Sequence, residues 1–335
     1  MRAALLKGPG AGLVVGETEA PRPAAHEVVV DVTACGICGS DLHIAALIGA
    51  PGTILGHEIA GRVADIGTDV TGWSLGTPVA VRPFAGCRTC DWCSRGRADH
   101  CASFGLLGLD RPGGFAEHVA VAADELYRLP SSLTGTEQAL IEPLAIARHA
   151  LRRVGFQAGE DLLVLGGGPV GLAVTAWART LGARRVVVSD PVAVRRDLAV
   201  TLGADAAVDP TSTALDEVVH EVCGGPPPVV MECTGVAGLI GQGIGHAAVN
   251  GRVGVVGICL SNDEIFPLFG IQKDLDIRFA IYYDREDFTD TLSAIDRGDL
   301  LAAAMVTETV SLADLPARFT AMSHQPDAGK VVVVP

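Results

Sequence analysis

The sequence has few basic residues, little charge overall and no long hydrophobic run. Lysine and arginine number 25 against 39 aspartates and glutamates, which gives a net charge of −14 at pH 7. Because so acidic a chain is repelled by a phosphate backbone, we expect no nucleic-acid partner. Charged residues make up 19% of the chain and hydrophobic residues 49%. This composition excludes intrinsic disorder, which needs low hydrophobicity and high net charge.

Targeting segments are also missing from the sequence pattern. Only a short apolar stretch precedes Lys7, too short for the hydrophobic region of a secretion signal. Residues 162–178 are uncharged, but glycines and a proline interrupt them, and a membrane helix needs about 20 apolar residues. We therefore expect a cytoplasmic protein with no membrane partner. In that compartment, the nine cysteines predict metal ligands or buried thiols rather than disulfides.

The pattern of strands and helices changes along the 335 residues, a length that suits two domains. Residues 1–145 read as short strands separated by glycine turns. From about Glu160, valine-rich strands alternate with helix-length segments, which predicts an α/β fold with a doubly wound parallel sheet. We predict a β domain over residues 1–145, a parallel-sheet domain over 146–283, and a return of 284–335 to the first domain.

A glycine-rich turn follows the first of these valine-rich strands and opens a predicted helix. Gly166, Gly168 and Gly171 form a G-x-G-x-x-G pattern, which lets the backbone approach a pyrophosphate at a helix N-terminus. Asp190 ends the next predicted strand, where a carboxylate accepts hydrogen bonds from ribose hydroxyls and repels a 2′-phosphate. The pattern predicts a Rossmann domain that binds NAD. Arg195 keeps NADP open, because a nearby guanidinium can accommodate that phosphate.

Four cysteines lie close together at Cys87, Cys90, Cys93 and Cys101. Four thiolates at this spacing predict a closed tetrahedral zinc site, which stabilises the loop of residues 87–101 without taking part in catalysis. A zinc-ribbon module for nucleic acid has similar spacing but conflicts with the acidic charge of the chain.

A second set of metal-ligating residues is more dispersed. Cys38, His57 and Glu142 have the residue types of a catalytic zinc site, which takes about three protein ligands and keeps one position open. Spacing alone does not bring them together. In the alternative interpretation, Cys38 is a buried structural cysteine and Glu142 is an ordinary surface glutamate.

Several short motifs occur in one order along nearly the whole chain: CGICGSDLH, GHE, the four-cysteine loop, RPGGFAEH, EPL, GGGPVG and ECTG. In this combination the sequence resembles the zinc-dependent medium-chain alcohol dehydrogenases, in particular their polyol and butanediol dehydrogenase branch. The resemblance implies a GroES-like β domain with a catalytic zinc and a Rossmann coenzyme domain. It also implies two zinc ions per chain, NAD as coenzyme, a small-molecule alcohol or ketone as substrate, and a homodimer or homotetramer.

The resemblance assigns roles to individual residues. Cys38 and His57 would be ligands of the catalytic zinc, with either Glu58 or Glu142 as the third. Two carboxylates together would over-neutralise the ion, so we expect that they do not bind at full strength at once. Ser40 would contact the substrate oxygen, and His43 would end a proton relay, since imidazole exchanges protons near neutral pH. The implied coenzyme contacts are Gly166, Gly168, Pro169, Val170, Gly171, Asp190, Arg195, Thr234, Val256, Gly257 and Ile258.

The predicted function is hydride transfer between a secondary alcohol or ketone and NAD(H), with zinc as the Lewis acid that stabilises the alkoxide. Three alternatives stay open: an NADP-preferring ketone or aldehyde reductase, a sorbitol- or butanediol-type polyol dehydrogenase, and a non-catalytic protein that binds zinc and a nucleotide. Residues 44–55 carry no charge and form a shorter segment than in polyol relatives. A shorter, uncharged wall of the substrate cleft favours an apolar secondary alcohol over a polyol as the substrate.

Overall fold

The computed structural model describes residues 1–323 and 329–335. The chain divides into two compact units. The first unit contains Met1–Glu142, Asp284–Asp296 and Val306–Pro335, and the second contains Pro143–Tyr283 and Arg297–Met305. Among the described helices, none is both long and apolar enough to cross a membrane.

Strands and helices are numbered in chain order. The strands are β1 (Arg2–Leu6), β2 (Leu13–Glu17), β3 (Glu27–Gly36), β4 (Glu58–Ile66), β5 (Pro78–Val81), β6 (Phe84–Ala85), β7 (Gly105–Leu106), β8 (His118–Ala122), β9 (Leu126–Arg128), β10 (Asp161–Leu165), β11 (Arg185–Ser189), β12 (Ala206–Val208), β13 (Val229–Glu232), β14 (Arg252–Val255), β15 (Asp276–Phe279), β16 (Val306–Ser311) and β17 (Lys330–Val334). The α-helices are α1 (Gly39–Leu47), α2 (Asp91–Ser94), α3 (Ile141–Val154), α4 (Pro169–Thr180), α5 (Ala193–Thr201), α6 (Leu215–Cys223), α7 (Leu239–His246), α8 (Pro267–Lys273), α9 (Arg285–Asp296) and α10 (Leu315–Met322). The 3₁₀-helices of the described residues are Ala98–His100, Ala123–Glu125, Gly135–Leu140 and Ala303–Met305.

The first unit is built on a mostly antiparallel sheet in the order β16-β17-β3-β4-β5-β9, with β8 also paired to β3. Valines fill β3 and β17, whose β-branched side chains suit a buried strand, and Val30 and Val333 are fully buried. Ile59 and Phe115 belong to the same hydrophobic core. The sheet therefore brings β3, β4 and β17 together, although β17 comes last in the chain.

The second unit contains six parallel strands in the order β12-β11-β10-β13-β14-β15. Apolar runs such as Leu163 on β10 and Val230 on β13 are completely buried, as expected for strands covered on both faces. The doubly wound parallel sheet predicted from the sequence is thus confirmed. The strand order reverses between β10 and β13, and in such sheets ligands bind beyond the carboxyl ends of the strands at this switch point.

Two parts of the structure differ from the sequence prediction. Helix α1 lies inside the region that was predicted to consist of short strands and glycine turns. The helix begins here because the Asp41 carboxylate accepts a hydrogen bond from the Cys38 N–H and so caps the first turn. Residues 297–305 were predicted to return to the first unit with the rest of 284–335. They belong to the second, where the Thr180 hydroxyl donates to the Asp299 carbonyl at 2.8 Å. Residues 324–328 of that predicted segment lie outside the described part.

A fully buried arginine connects the four-cysteine loop to the sheet of the first unit. Arg82 follows β5, and its guanidinium donates to Glu125 at 2.8 Å and lies 3.5 Å from Asp99. It also donates to the Gly96 carbonyl at 3.3 Å. Asp99 and Gly96 lie within the cysteine loop, which has little core of its own. The two carboxylates compensate the buried charge, because an unpaired charge in the interior is strongly destabilising.

We predict that Arg82→Met destabilises the first unit by about 3 kcal/mol, the usual cost of breaking a buried ion pair from one side. The measurement is urea unfolding followed by circular dichroism. Arg2→Met is the matched control, since it removes the exposed Arg2–Glu117 pair of 2.8 Å and should cost less than about 1 kcal/mol. Equal losses in the two variants would contradict the role given to Arg82.

Candidate active site

The first cluster of functional side chains lies where β3 passes into α1. The chain turns after Gly36, and Cys38 occupies the N-cap position of α1. The buried Asp41 side chain accepts the Cys38 N–H at 2.9 Å through one oxygen and the Gly56 N–H at 3.2 Å through the other. One carboxylate thus joins the segment before α1 to the segment before β4. As a result, Cys38 and His57 are held next to each other.

His57 is buried between Asp41 and Ser40. Its Nδ1 atom lies 3.3 Å from Asp41 Oδ1, and its Nε2 atom lies 3.4 Å from Ser40 Oγ. Burial lowers the pKa of His57, but the negative charge of Asp41 and hydrogen bonds with Asp41 and Cys38 outweigh it and raise the pKa well above its ordinary value. A carboxylate behind one ring nitrogen fixes the ring orientation and leaves the other nitrogen for a ligand, as is usual for metal-binding histidines.

Glu58 is completely buried at the start of β4 and pairs with a lysine from the last strand. Lys330 Nζ lies 2.6 Å from Glu58 Oε1 and donates to the Ile37 carbonyl at 3.1 Å. Burial alone would lower the pKa of Lys330, yet the charge of Glu58 and, less strongly, those of Cys38 and Glu142 raise it. The lysine is therefore a buried ammonium that compensates the acidic groups around it.

Cys38, His57 and Glu58 offer one sulfur, one nitrogen and one oxygen within 4.8 Å of one another. Ligands at zinc distances of about 2.0 to 2.3 Å fit within such a group. The second oxygen of Glu58, Oε2, is buried and has no hydrogen-bond partner among the described residues. Since an unpaired buried carboxylate oxygen is costly, these residues fit a divalent cation with an open coordination position.

The other residues predicted for this site lie at different distances from the donor group. Ser40 is half-buried beside His57, and His43 is exposed three residues later on α1. Glu142 is buried but does not belong to the group of donor atoms within 4.8 Å. Its carboxylate acts instead on Lys330, where it contributes to the raised pKa.

The four-cysteine loop brings all its sulfur atoms into a second group within 4.8 Å. The thiols are unbridged, and Cys87 Sγ lies 4.0 Å from Cys93 Sγ, far beyond disulfide length. Backbone N–H groups point at the sulfurs, from Cys90 to Cys87 and from Cys87 to Cys101, both at 3.3 Å. A hydrogen bond from Thr89 is the largest of several that lower the pKa of Cys87 to about 6. This donor set fits a structural tetrahedral metal.

The glycine-rich turn in the second unit has the form expected of a dinucleotide site. Gly168 caps α4 and Pro169 is its first residue. A side chain at Gly171 would place its Cβ 1.8 Å from the Gly166 carbonyl oxygen, so only glycine allows the helix to start this close to the turn. Asp190, almost fully buried after β11, accepts the Gly167 N–H at 2.8 Å. The turn and the acidic residue are therefore directly connected.

Asp190 also interacts with the start of the following segment. Its other oxygen, Oδ1, accepts the Val192 N–H at 2.8 Å. Arg195 Nη1 lies 3.4 Å from Oδ2, the oxygen that accepts the Gly167 N–H. On the other side of the switch point, Thr234 follows β13, and Val256, Gly257 and Ile258 follow β14. The predicted coenzyme residues thus lie at the carboxyl ends of neighbouring strands in one sheet.

Comparison with known proteins agrees with both halves of this description. Residues 24–131 match the alcohol dehydrogenase GroES-like domain, and residues 169–297 match the zinc-binding dehydrogenase family. The 2-dehydro-3-deoxy-L-galactonate 5-dehydrogenase of Pseudoalteromonas atlantica is 36% identical over 95% of this chain and 94% of its own. The chain belongs to the zinc-dependent medium-chain alcohol dehydrogenase family.

Solved structures of this dehydrogenase family share the fold over the full chain. The 2R,3R-butanediol dehydrogenase of Bacillus subtilis is 30% identical with a TM-score of 0.90, covering 100% of this chain and 99% of that one. A zinc-binding dehydrogenase of Sinorhizobium meliloti 1021, solved with NADP, has the same identity, TM-score and coverage. The chain is accordingly an oxidoreductase of the kind that acts on CH–OH groups.

Sequence reasoning missed three residues of this dehydrogenase that are important for the sites. Asp41 had a local signal, because the spacing Cys-x-x-Asp before an apolar segment resembles a helix capping box. Glu232 stands in the quoted ECTG motif but was given no role. Lys330 had no local signal, since it meets Glu58 from a position 272 residues away. Only the pairing of β17 with β3 reveals it.

Proposed function

We propose that this dehydrogenase oxidises secondary alcohols with NAD, using a zinc ion held by Cys38, His57 and Glu58. The observation that carries the proposal is the convergence of three different donor atoms around a buried, unpaired carboxylate oxygen. Bound at these residues, zinc would supply Lewis-acid chemistry that favours loss of the alcohol proton, and the nicotinamide would accept the hydride. The remaining steps depend on residues of this chain.

Glu58 is the third ligand in this proposal. The positive charge of Lys330 allows a second carboxylate, that of Glu142, to lie near the same site. One thiolate and one carboxylate already neutralise a divalent cation. A further carboxylate would weaken its acidity, but the buried ammonium of Lys330 offsets that charge. We therefore expect Glu142 to act through Lys330 rather than as a permanent ligand.

Ser40 and His43 are proposed to move the proton. Ser40 Oγ lies beside His57, close enough to the donor group to accept a proton from an alcohol placed there. His43 is exposed on the same helix, and residues three apart face the same side of a helix. The pair could therefore pass a proton from the site to solvent.

NAD is the proposed coenzyme, because Asp190 puts a buried negative charge where a 2′-phosphate would have to sit. The NADP-bound relative and the presence of Arg195 beside Asp190 support the alternative. We prefer NAD because Arg195 already lies beside Asp190. The carboxylate partly compensates the positive charge that a 2′-phosphate would need.

A second zinc is proposed in the four-cysteine loop, with a structural role.

For the substrate, we propose an apolar secondary alcohol rather than a polyol. Leu47 and Ile48, in the uncharged segment 44–55, are 61% and 66% exposed and offer no hydrogen-bonding groups to a polyhydroxylated molecule. The polyol alternative is supported by the sugar-acid and butanediol substrates in the names of the two relatives.

The assembly is proposed to be a homodimer, or a tetramer built from such dimers, formed at the free edge of the second unit. β15 ends the sheet and pairs with β14 on one side. Around it, apolar side chains of α8 and of the strand end are exposed, including Phe269, Ile271 and Phe279. An open edge with this much exposed apolar surface favours pairing with a second copy through a two-fold axis.

The function is tested with zinc-replete protein. We expect oxidation of apolar secondary alcohols with NAD, a higher kcat/KM than for sorbitol, and two zinc ions per chain by elemental analysis. His57→Ala should lower zinc to one per chain and reduce kcat at least about 1000-fold, while NADH still binds. His118→Ala, which changes a half-buried histidine paired with Asp31, should retain both zinc ions and full turnover. Near-normal turnover in His57→Ala would refute the assignment.

Coenzyme choice is tested by Asp190→Asn, which removes the charge and nearly keeps the size, at the cost of one of the two backbone N–H bonds to this side chain. The ratio of kcat/KM for NADP to that for NAD should rise about tenfold or more, because a like-charge repulsion is removed. Asp205→Asn is the control, since that carboxylate lies at the amino end of β12 and bonds the Val186 N–H. An unchanged ratio in Asp190→Asn, or a wild-type preference for NADP, would show that Asp190 does not select NAD.

Assembly is tested by Phe279→Glu combined with Ile271→Glu. The double variant should shift from dimer or tetramer toward monomer in light scattering coupled to size-exclusion chromatography, because two buried charges would face each other across the interface. Leu75→Glu alters an equally exposed leucine of the first unit, 68% exposed, and should leave the mass unchanged. A wild-type monomer would contradict the proposed interface outright.

A further inference from the structure

Glu232, the last residue of β13, is a buried carboxylate to which the reaction assigns nothing. It is 1% exposed and points into the turn that follows it. Oε1 accepts three hydrogen bonds, from the Thr234 N–H at 2.7 Å, the Thr234 hydroxyl at 2.6 Å and the Gly235 N–H at 2.9 Å. The Thr234 hydroxyl in turn accepts the Val236 N–H at 2.9 Å. One oxygen atom therefore organises the whole turn.

The backbone of the same residue holds the neighbouring turn. The Glu232 carbonyl accepts the Val256 N–H at 2.9 Å and the Gly257 N–H at 3.1 Å. Glu232 thus bonds the turn after β13 with its side chain and the turn after β14 with its main chain.

The two turns are also in direct contact. A Cβ at Gly257 would lie 2.1 Å from the Gly235 nitrogen and 2.5 Å from Glu232 Oε2. A Cβ at Gly235, whose φ is +72°, would lie 2.3 Å from the Ile258 carbonyl oxygen. Backbone packs on backbone here, so the position of one turn determines the position of the other.

The strand order shows which half of a dinucleotide these turns would meet. The switch point lies between β10 and β13, and a dinucleotide crosses it with its pyrophosphate on the glycine turn. Asp190, at the end of β11, marks the adenosine side. The turns after β13 and β14 therefore lie on the side of the nicotinamide half.

We propose that Glu232 is a positioning residue that holds these two turns as a preformed support for the nicotinamide half of the coenzyme. The inference rests on the proposed function. Without the carboxylate, two N–H groups and a hydroxyl lose their acceptor. The turn after β13 then loosens against the turn after β14, which the Glu232 main chain still holds. Binding then has to order them, which weakens contact with the nicotinamide and leaves the ADP half unaffected.

The test compares NADH with ADP-ribose, which lacks the nicotinamide, using isothermal titration calorimetry on the zinc-loaded full chain. Glu232→Ala should raise the Kd for NADH about tenfold or more and change the Kd for ADP-ribose less than about threefold. Glu232→Gln, which keeps an acceptor oxygen for the turn, should restore most of the NADH affinity. Thr234→Val, which removes one of the three donors, should weaken NADH binding in the same direction by a smaller factor.

Each outcome separates this inference from the proposed function. If wild-type protein does not bind NADH, the proposed function fails. If wild-type binds NADH but Glu232→Ala weakens both ligands equally, Glu232 has only a structural role and the inference fails. It also fails if neither affinity changes. Should Glu232→Ala not fold, the NADH-to-ADP-ribose comparison in Thr234→Val decides, because a uniform loss there would contradict selective positioning.

Discussion

The interaction on which the active-site cluster depends is the buried carboxylate of Asp41. It accepts backbone N–H groups from Cys38 and Gly56 and lies against the imidazole of His57. The pairing of β3 with β4 places Gly36 opposite Glu58, and Asp41 extends that connection beyond the strand ends to the cysteine and the histidine. The arrangement places a negative charge in the interior, which is tolerated because every polar contact it makes is with an N–H or imidazole group.

Buried carboxylates also accept hydrogen bonds from backbone N–H groups in the second unit. Asp190 accepts the N–H groups of Gly167 and Val192, and Glu232 accepts those of Thr234 and Gly235. In each case a carboxylate at a strand or helix end bonds backbone groups that no regular ladder satisfies. Hydrogen bonds to a charged acceptor are stronger than neutral ones. The acidic composition of the chain therefore includes carboxylates that shape functional turns from within.

What the sequence could predict follows from how local each signal is. The glycine turn with Asp190 and the four-cysteine loop lie within short stretches whose spacing has a direct geometric meaning. The structure places the turn between β10 and α4, and it gathers the four sulfur atoms within 4.8 Å of one another. Helix α1 was missed because it is short and its N-cap is a cysteine, which propensity does not favour. Lys330 could not be inferred, since it reaches Glu58 only through the pairing of the last strand with β3. Residues 297–305 were placed in the wrong unit because their buried apolar side chains, such as Leu300 and Met305, do not indicate by themselves which of the two cores they join.

The contacts of Asp190 show how one side chain can stabilise a turn of the fold and still be available to a coenzyme. An ionised carboxylate has about four lone-pair directions, and backbone N–H groups use one on each oxygen. Arg195 approaches at 3.4 Å, a long contact that a ribose hydroxyl can replace. The carboxylate therefore keeps acceptor capacity for two hydroxyls but cannot lose its charge without disturbing the turn. The selection against a 2′-phosphate that we propose would then be a consequence of how the turn is built, which makes Asp190 more constrained than a surface acid in the same position would be.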